Sequence, residues 1–501
     1  MAPMPSAYER LRAHLRETAV LSSCSRILGW DRETYLPRGA TGLRADQTAL
    51  LARLAHERRT SPALRDLLAE AREACPERDS PRAANVREAQ REFERATRIP
   101  AALIEERARL TTLARQAWLD ARAKRQFGIF LPWLGKIVQL CRDEAEALDP
   151  PGEAYDAHLD EYEPGATAKE IEAVLSPLRD ALAALLRRVL ASGKRLPDAP
   201  VRGDFPVEGQ RRLSGRVLEA IGFDFSRGRT DLTAHAFCGG MGPFDVRLSS
   251  RFDPGFLVDG FFGTLHEGGH GLYEQGLDPD EFGMPCGTAC SLGIHESQSR
   301  LWENLVGRSR AFWRHFLPAA RKEFPDALRD VTPDALHGAL NGIQPTFIRV
   351  DADELTYNLH ICLRFDLERA LLSGDLDATD LPQAWNDGFE RLLGIRPAHD
   401  ADGCLQDIHW SAGLVGYFPT YTLGNLYGAQ IFERAREELG DLDAAFARGE
   451  FLPLRDWLRE KIYRHGMRYP AKDLVARITG NPPSPRPLLT HLERRCAELY
   501  G

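Results

Sequence analysis

Along most of the chain, apolar positions recur at three- and four-residue spacing with Arg and Glu between them. This spacing is typical of amphipathic α-helices that bury one face. Pro164-Gly165 interrupts it, and Thr167 with Glu170 forms a capping box that opens a helix to about residue 193. The same spacing predicts helices at 5–20, 42–58, 82–122, 129–148, 208–220, 296–324, 332–340, 351–372, 381–394, 422–438, 442–447, 453–463, 472–479 and 486–498.

Residues 232–252 follow a different pattern, because apolar and polar positions alternate there on both sides of Gly239-Gly240. This alternation predicts a β-hairpin just before the next helix. No internal repeat, low-complexity tract or long linker divides the sequence. We therefore expect one large, mainly α-helical catalytic domain over residues 1–501, which a cleft could divide into two lobes.

The composition of the chain argues against some kinds of binding partner. The chain has 501 residues, 43% of them hydrophobic, and a net charge of −8, which argues against nucleic acid or an anionic membrane as a general partner. We find no apolar stretch long enough to cross a bilayer and no apolar signal core among the first ten residues, so a soluble, cytoplasmic protein is expected. The nine scattered cysteines favour reduced thiols, and the close pair Cys286 and Cys290 lacks a second pair at metal spacing.

The candidate chemistry lies in the segment His266-Glu267-Gly268-Gly269-His270. Histidines four residues apart share one helix face, so both imidazoles can bind one zinc ion. Glu267 follows the first histidine and can take a proton from water that the zinc acidifies. A string of this kind also arises by chance in a small share of chains, so it is suggestive by itself.

Three glycines in and beside this segment, Gly268, Gly269 and Gly271, strengthen the functional interpretation. Each costs a helix interior about 1 kcal/mol relative to alanine. Their presence favours a close approach by another backbone or by a substrate.

The third zinc ligand is left open by spacing alone. Position 276 is glycine, which excludes the class with a third histidine there, and Glu274 is too far along the helix to share an ion with His266. The segment that begins at Gly293 offers His295, Glu296 and Glu303, and spacing does not choose among them.

Four motifs together resemble the carboxypeptidase Taq family of zinc metallocarboxypeptidases, and the similarity runs from about Leu28–Pro37 to the C-terminal helices. They are the His266–His270 motif, His295-Glu296-Ser297-Gln298, Ile348–Asp353 and Gly403–Trp410. The resemblance implies Glu296 as the third ligand. It also implies a two-lobed, neurolysin-like helical fold with a deep cleft, a small sheet beside the active site, and a homodimer.

Two segments depart from the family pattern. The family's His-Pro-Phe is His235-Ala236-Phe237 here, and its Asp-x-Arg-x-Thr ends in serine, Asp245–Ser249. His235, Asp245 and Arg247 are retained. Loss of the proline frees φ at position 236, so this loop is expected to be less rigid.

The resemblance also implies roles at the substrate end. Arg349, with Arg247, is the candidate for holding the terminal carboxylate, because a guanidinium can form paired charge-assisted bonds. His409 and Tyr421 are candidates for stabilising the oxyanion. Asp353, Gln406 and Asp407 are expected to orient the arginine or the zinc histidines.

The sequence therefore predicts a carboxypeptidase with one Zn²⁺ per chain, which Co²⁺ could replace, held by His266, His270 and Glu296. Glu267 is the expected general base, and peptides with a free C terminus are the expected substrates. The alternatives are a metallo-oligoendopeptidase on the same scaffold and a non-catalytic helical interaction protein.

Overall fold

The computed structural model describes residues 5–75 and 80–501. The described residues form twenty α-helices and three β-strands. The strands are β1 (Gly228–Leu232), β2 (Cys238–Gly242) and β3 (Asp245–Ser250). The helices are α1 (Ala7–Thr34), α2 (Thr41–Arg59), α3 (Pro62–Glu73), α4 (Pro81–Arg98), α5 (Ala101–Lys124), α6 (Leu131–Leu148), α7 (Ala154–Tyr162), α8 (Ala168–Ala191), α9 (Val207–Ile221), α10 (Leu257–Gly276), α11 (Leu292–Arg300), α12 (Arg310–Glu323), α13 (Pro333–Leu340), α14 (Glu354–Ser373), α15 (Leu381–Leu393), α16 (Pro419–Leu439), α17 (Leu442–Arg448), α18 (Leu452–Lys461), α19 (Ala471–Thr479) and α20 (Arg486–Tyr500).

The mostly helical prediction is confirmed, with local corrections. The Thr167–Glu170 capping box opens α8 as expected. The pattern at 82–122 is two helices, α4 and α5, which are separated at Pro100 because proline lacks the N–H that an unbroken helix needs. The pattern at 296–324 is likewise interrupted, and α12 has its own N-cap at Ser309. Helices α3 and α7 were not predicted.

The predicted hairpin is present but displaced along the sequence. β2 pairs antiparallel with β3, and the turn lies at Pro243-Phe244, whereas Gly239-Gly240 lie inside β2. Residues 233–237 form a loop, and an unpredicted strand, β1, pairs parallel with β3 to give the order β1-β3-β2. Within β2, the missing side chain of Gly240 leaves room for the carboxylate of Glu274.

The chain forms two compact units. One contains Met1–Thr97, Pro197–Leu340 and Ile431–Gly480, and the other contains Arg98–Leu196, Asn341–Gln430 and Asn481–Gly501. In the first unit, hereafter the motif unit, the sheet packs on α10, and aromatic rings such as those of Phe261 and Trp313, 5.2 Å apart, fill the core. In the second, hereafter the arginine unit, α14 is the buried central helix.

All nine cysteines lie in the described residues, and none of them forms a disulfide. Among the described helices, none is both long enough and apolar enough to cross a membrane.

Candidate metal centre and substrate-binding residues

Helix α10 presents both motif histidines on one face. The Nε2 atoms of His266 and His270 lie 3.5 and 3.3 Å from Oε2 of Glu296. One ligand atom from each of these three residues lies within 4.8 Å of the others. Two imidazoles and a carboxylate at this separation fit a zinc ion that keeps one position open.

Helix α11 can carry Glu296 to this position because the glycines of α10 admit it. A Cβ at Gly269 would lie 2.5 Å from the carbonyl oxygen of Gln298, and one at Gly268 would lie 2.5 Å from a methyl group of Leu218. One at Gly271 would lie 2.8 Å from the ring of Phe223. The close approach that the glycines predicted is therefore present, and at Gly269 the neighbour is a backbone.

The three ligand candidates that spacing left open face different atoms. Glu296 faces both Nε2 atoms, whereas Glu303 and His295 lie at the opposite nitrogens of the two rings. Glu303 Oε2 is 2.9 Å from Nδ1 of His266, and Nδ1 of His295 is 2.5 Å from Nδ1 of His270.

A π-helical segment, Leu301–Gly307, follows α11 and carries Glu303. The widened turn is visible where the Arg308 amide donates to the carbonyl of Glu303 five residues earlier. Such segments are frequent at functional sites. Arg300 donates to Glu296 Oε1 at 2.7 Å and lies 3.3 Å from Glu303, so its guanidinium pairs with both carboxylates.

The charges around the three candidate ligands suit a cation. Although burial acts to raise it, Arg300 and His266 hold the pKa of Glu296 well below its usual range, so this carboxylate is ionised. Glu267 is buried beside His266, and burial raises its pKa to about 7.

A second group, Cys141, Glu144 and His158, also has ligand atoms within 4.8 Å of one another. It suits a metal poorly, because Arg107 lies 2.8 Å from Glu144 and supplies the positive charge there. Burial also raises the pKa of the Cys141 thiol to about 12, so the thiol stays protonated.

The residues of the motif unit that were predicted to bind substrate lie in and beside the sheet. Arg247, in β3, donates twice to Asp245 at 2.8 Å, and its guanidinium carbon is 4.1 Å from the ring centre of Trp30. His235 lies in the exposed loop between β1 and β2. The Ser249 hydroxyl accepts from the amide of Phe237 at 2.9 Å, so serine uses the hydroxyl that it shares with threonine to hold this loop.

Arg349 is the centre of a separate buried cluster in the arginine unit. Its side chain donates to Asp407 at 2.8 and 3.0 Å and to the Tyr357 hydroxyl at 2.9 Å. The second oxygen of Asp407 accepts from Arg364 at 2.7 Å. Gln406 accepts from the Arg349 amide at 2.9 Å and from Arg364 at 2.7 Å.

Sequence reasoning missed Tyr357 and Arg364. A signal for Arg364 was available, since an arginine stands inside the apolar run Ile361–Phe365 and is fully buried. Its partners, Gln406 and Asp407, come from a distant segment of the sequence, so no spacing within α14 identifies them.

His409 and Tyr421 form a pair next to this cluster. Nε2 of His409 is 3.1 Å from the Tyr421 hydroxyl, and burial lowers the pKa of His409 to about 4, so the ring is neutral near pH 7. The guanidinium of Arg349 lies 4.9 Å from the ring centre of Tyr421.

Asp353 has a different position. Its carboxylate accepts from the amides of Leu355 and Thr356 at the start of α14, from the Thr356 hydroxyl, and from the amide of Gln344. These bonds cap the helix and do not reach Arg349.

A mostly helical fold with this pair of histidines, an adjacent carboxylate and a facing glutamate defines a metallopeptidase. Residues 10–496 match the family model described as carboxypeptidase Taq (M32) metallopeptidase. The chain is 47% identical to thermostable carboxypeptidase 1 of Thermus thermophilus, over 99% of each chain, and 35% identical to carboxypeptidase 1 of Bacillus subtilis, over 97% of each. A solved structure of an M32 carboxypeptidase from Deinococcus radiodurans superposes with a TM-score of 0.95 at 42% identity, covering 99% of both chains.

The chain therefore belongs to the carboxypeptidase Taq family of metallopeptidases, and its activity is that of a metallocarboxypeptidase acting on peptides.

Proposed function

We propose that the metal is zinc, one ion per chain, held by His266, His270 and Glu296, and that the enzyme releases one residue at a time from a free C terminus. The observation that carries this proposal is the convergence of the two Nε2 atoms on Glu296 Oε2, at 3.5 and 3.3 Å. Cobalt accepts the same nitrogen and oxygen donors, so we expect it to substitute.

A bound zinc ion supplies a Lewis acid that acidifies water and polarises the scissile carbonyl. Glu267 accepts the proton of the attacking water on a carboxylate oxygen. As the C–N bond breaks, Glu267 delivers that proton to the nitrogen of the leaving amino acid. The buried position of Glu267 beside His266 supports this role.

For the substrate carboxylate we propose Arg349 and Arg247, and we include His235 and Asp245 among the substrate-binding residues. Both guanidiniums are already paired, Arg349 with Asp407 and Arg247 with Asp245, so their direction is fixed before a peptide arrives. Pre-ordered donors lose less entropy on binding. We assign Gln406 and Asp407 to orienting Arg349, and His409 with Tyr421 to donating hydrogen bonds to the oxyanion.

We further propose that residues 1–501 act as one catalytic domain, in a cytoplasmic homodimer. The resemblance to the family supports the dimer. Further support is a pair of exposed apolar residues, seven positions apart, on each of the packed helices α1 and α2. These residues are Val20, Ile27, Leu43 and Leu50, which are 49%, 37%, 64% and 48% exposed. Light scattering of the purified chain should give twice its mass.

Mass spectrometry of peptide products tests the central proposal, with matched peptides that end in a free carboxylate or in an amide, each with and without a chelator. We expect stepwise loss of single residues from the free peptide only, and none after chelation. Internal cleavage of the amidated peptide would overturn the proposal that release requires a free C terminus.

The variant Glu267→Gln should retain one zinc ion and lose nearly all hydrolysis. The control Glu208→Gln removes an exposed carboxylate of the same unit and should behave like the parent. Full activity of Glu267→Gln would refute the general-base assignment. Zinc well below one per chain in the active parent would refute zinc as the metal.

A further inference from the structure

The two motif histidines are held at Nδ1 by different kinds of partner. His266 has a carboxylate there, Glu303, at 2.9 Å. His270 has another imidazole, His295, at 2.5 Å, and Nε2 of His295 lies 2.9 Å from Oε1 of Glu274. The second arrangement is a three-membered chain, His270–His295–Glu274.

We propose that His295 and Glu274 are positioning residues that fix the ring of His270 through a chain of hydrogen bonds running in one direction. The inference builds on the proposed ligand set. If His270 gives the lone pair of Nε2 to a metal, its proton is on Nδ1, so this nitrogen donates to Nδ1 of His295. His295 then carries its own proton on Nε2 and donates it to Glu274.

The ring of His295 contacts two other rings. Its centre is 4.5 Å from that of His270 and 5.2 Å from that of Tyr273, with interplanar angles of 35° and 33°. Tyr273 is fully buried and stacks on Tyr463 at 5.1 Å. These rings limit the space around His295, and two hydrogen bonds direct its nitrogens at His270 and Glu274.

The carboxylate of Glu274 is equally constrained. A Cβ at Gly240, in β2, would clash with the second oxygen of this carboxylate, so the glycine leaves room for Glu274 in the position that bonds His295. Arg26 donates to the carbonyl of Gly240 at 2.7 Å, which fixes this part of the strand. The sheet therefore accommodates Glu274 in this position, and Glu274 positions His295.

The Nδ1 partners of His266 and His270 have different effects on the two histidines. A carboxylate that accepts from a metal-binding imidazole makes the ring a better ligand, and removal of such a partner commonly costs about 10- to 100-fold in metal affinity or activity. A neutral imidazole is a weaker acceptor, so the effect of Glu274 reaches His270 only through His295. Loss of His295 should therefore weaken metal binding more than neutralisation of Glu274 does.

The test measures release of zinc to a chelator, together with the visible spectrum of the cobalt-substituted enzyme. His295→Leu should release zinc about 10-fold faster, at the lower end of that range because imidazole is the weaker acceptor, and should shift the cobalt spectrum. We expect kcat to fall while KM stays near the parent value, because the proposed substrate-binding residues are unchanged.

Three further variants check the assignment. His295→Gln can accept a hydrogen bond at its oxygen and donate one at its nitrogen, so it should recover part of the loss. Glu274→Gln should accelerate zinc release less than His295→Leu does. The control His315→Leu replaces a partly buried histidine of the same unit that contacts Phe316 and Phe451.

Parent-like zinc release and an unchanged cobalt spectrum in a folded His295→Leu protein would overturn the inference. If His295→Leu does not fold, Glu274→Gln provides the test, since both imidazole rings remain in place. Parent-like zinc release in Glu274→Gln would then contradict the hydrogen-bonded series His270–His295–Glu274. Glu296→Gln separates this inference from the proposed function. If Glu296→Gln keeps zinc as the parent does, the ligand set is wrong. If Glu296→Gln loses zinc and His295→Leu does not, only the positioning chain is wrong.

Discussion

Gly269 of α10 lies directly against the peptide of Gln298 in α11, so that a Cβ at position 269 would meet the carbonyl oxygen of Gln298 at 2.5 Å. That neighbour is backbone and cannot rotate away. The contact sets the distance between the helix that carries His266 and His270 and the helix that carries Glu296.

We therefore expect Gly269→Ala to destabilise the protein by about 1–3 kcal/mol, because the added methyl group must push two helices apart. The change should also lower the zinc content. Gly263→Ala is the matched control on the same helix, since the nearest atom to its Cβ would be Ser250 Oγ at 3.9 Å. Alanine there should leave the melting midpoint unchanged or raise it. A melting midpoint for Gly269→Ala at or above that of the parent would refute the steric argument.

Asp407 gives a second prediction, because it is the carboxylate between two buried arginines, Arg349 and Arg364. Asp407→Asn leaves these cations without a buried counter-charge, which should cost about 3–5 kcal/mol. We expect a large drop in the melting midpoint by calorimetry. Asp387→Asn, whose partner Arg396 is on the surface, should change the midpoint little. Similar midpoints for both variants would show that the charge at Asp407 does not support the fold.

These two sites show why the sequence predicted some features and missed others. The helices carry their own signals, such as the Thr167–Glu170 box and the apolar spacing, since a helix is held by residues close in sequence. The glycines of α10 likewise signalled a close approach. Spacing alone could not predict which of His295, Glu296 and Glu303 meets Nε2, because this depends on how α11 crosses α10 and on the π-helical turn after it. The resemblance to the family was needed to name Glu296. The pairing of Arg364 with Asp407 joins residues 43 positions apart, and no local pattern encodes it.

A third prediction concerns stability against pH. Burial raises the pKa of Glu368 to about 7, against hydrogen bonds from Tyr155, Trp410 and the amide of Gly416. An unfolded glutamate titrates near 4.5, so the folded state holds this proton more tightly. The resulting stabilisation is complete below about pH 4.5 and is lost as pH rises through about 7.

Glu368→Gln cannot titrate, and it resembles the protonated carboxyl. Its melting midpoint should therefore improve relative to the parent as pH rises from 5 to 8. The loss of stability that comes from placing an amide beside three hydrogen-bond donors is the same at each pH. It therefore cancels when the change of the midpoint with pH is compared. Glu390→Gln removes an exposed carboxylate and serves as the control for net charge. A difference between Glu368→Gln and the parent that does not change with pH would contradict the raised pKa.

The last prediction concerns Trp30, whose ring contacts two guanidiniums. The guanidinium carbon of Arg247 is 4.1 Å from the ring centre and that of Arg229 is 5.1 Å away. Asp245 fixes one edge of Arg247 with two bonds at 2.8 Å, and the indole supports its face. A cation over an aromatic face contributes about 0.5–2 kcal/mol, which corresponds to about 2- to 30-fold in binding.

Because we propose that Arg247 holds the substrate carboxylate, Trp30→Leu should raise KM for peptides with a free C terminus by about that factor. The zinc content should stay at the parent level, since the ring contacts none of the candidate ligands. Trp30→Phe keeps an aromatic face and should recover part of the loss. Arg229→Met removes the other guanidinium from the same ring and should leave KM near the parent value. If Trp30→Leu is folded, retains zinc and keeps the parent KM, then the indole does not position Arg247 for substrate, and Asp245 alone is sufficient to hold it.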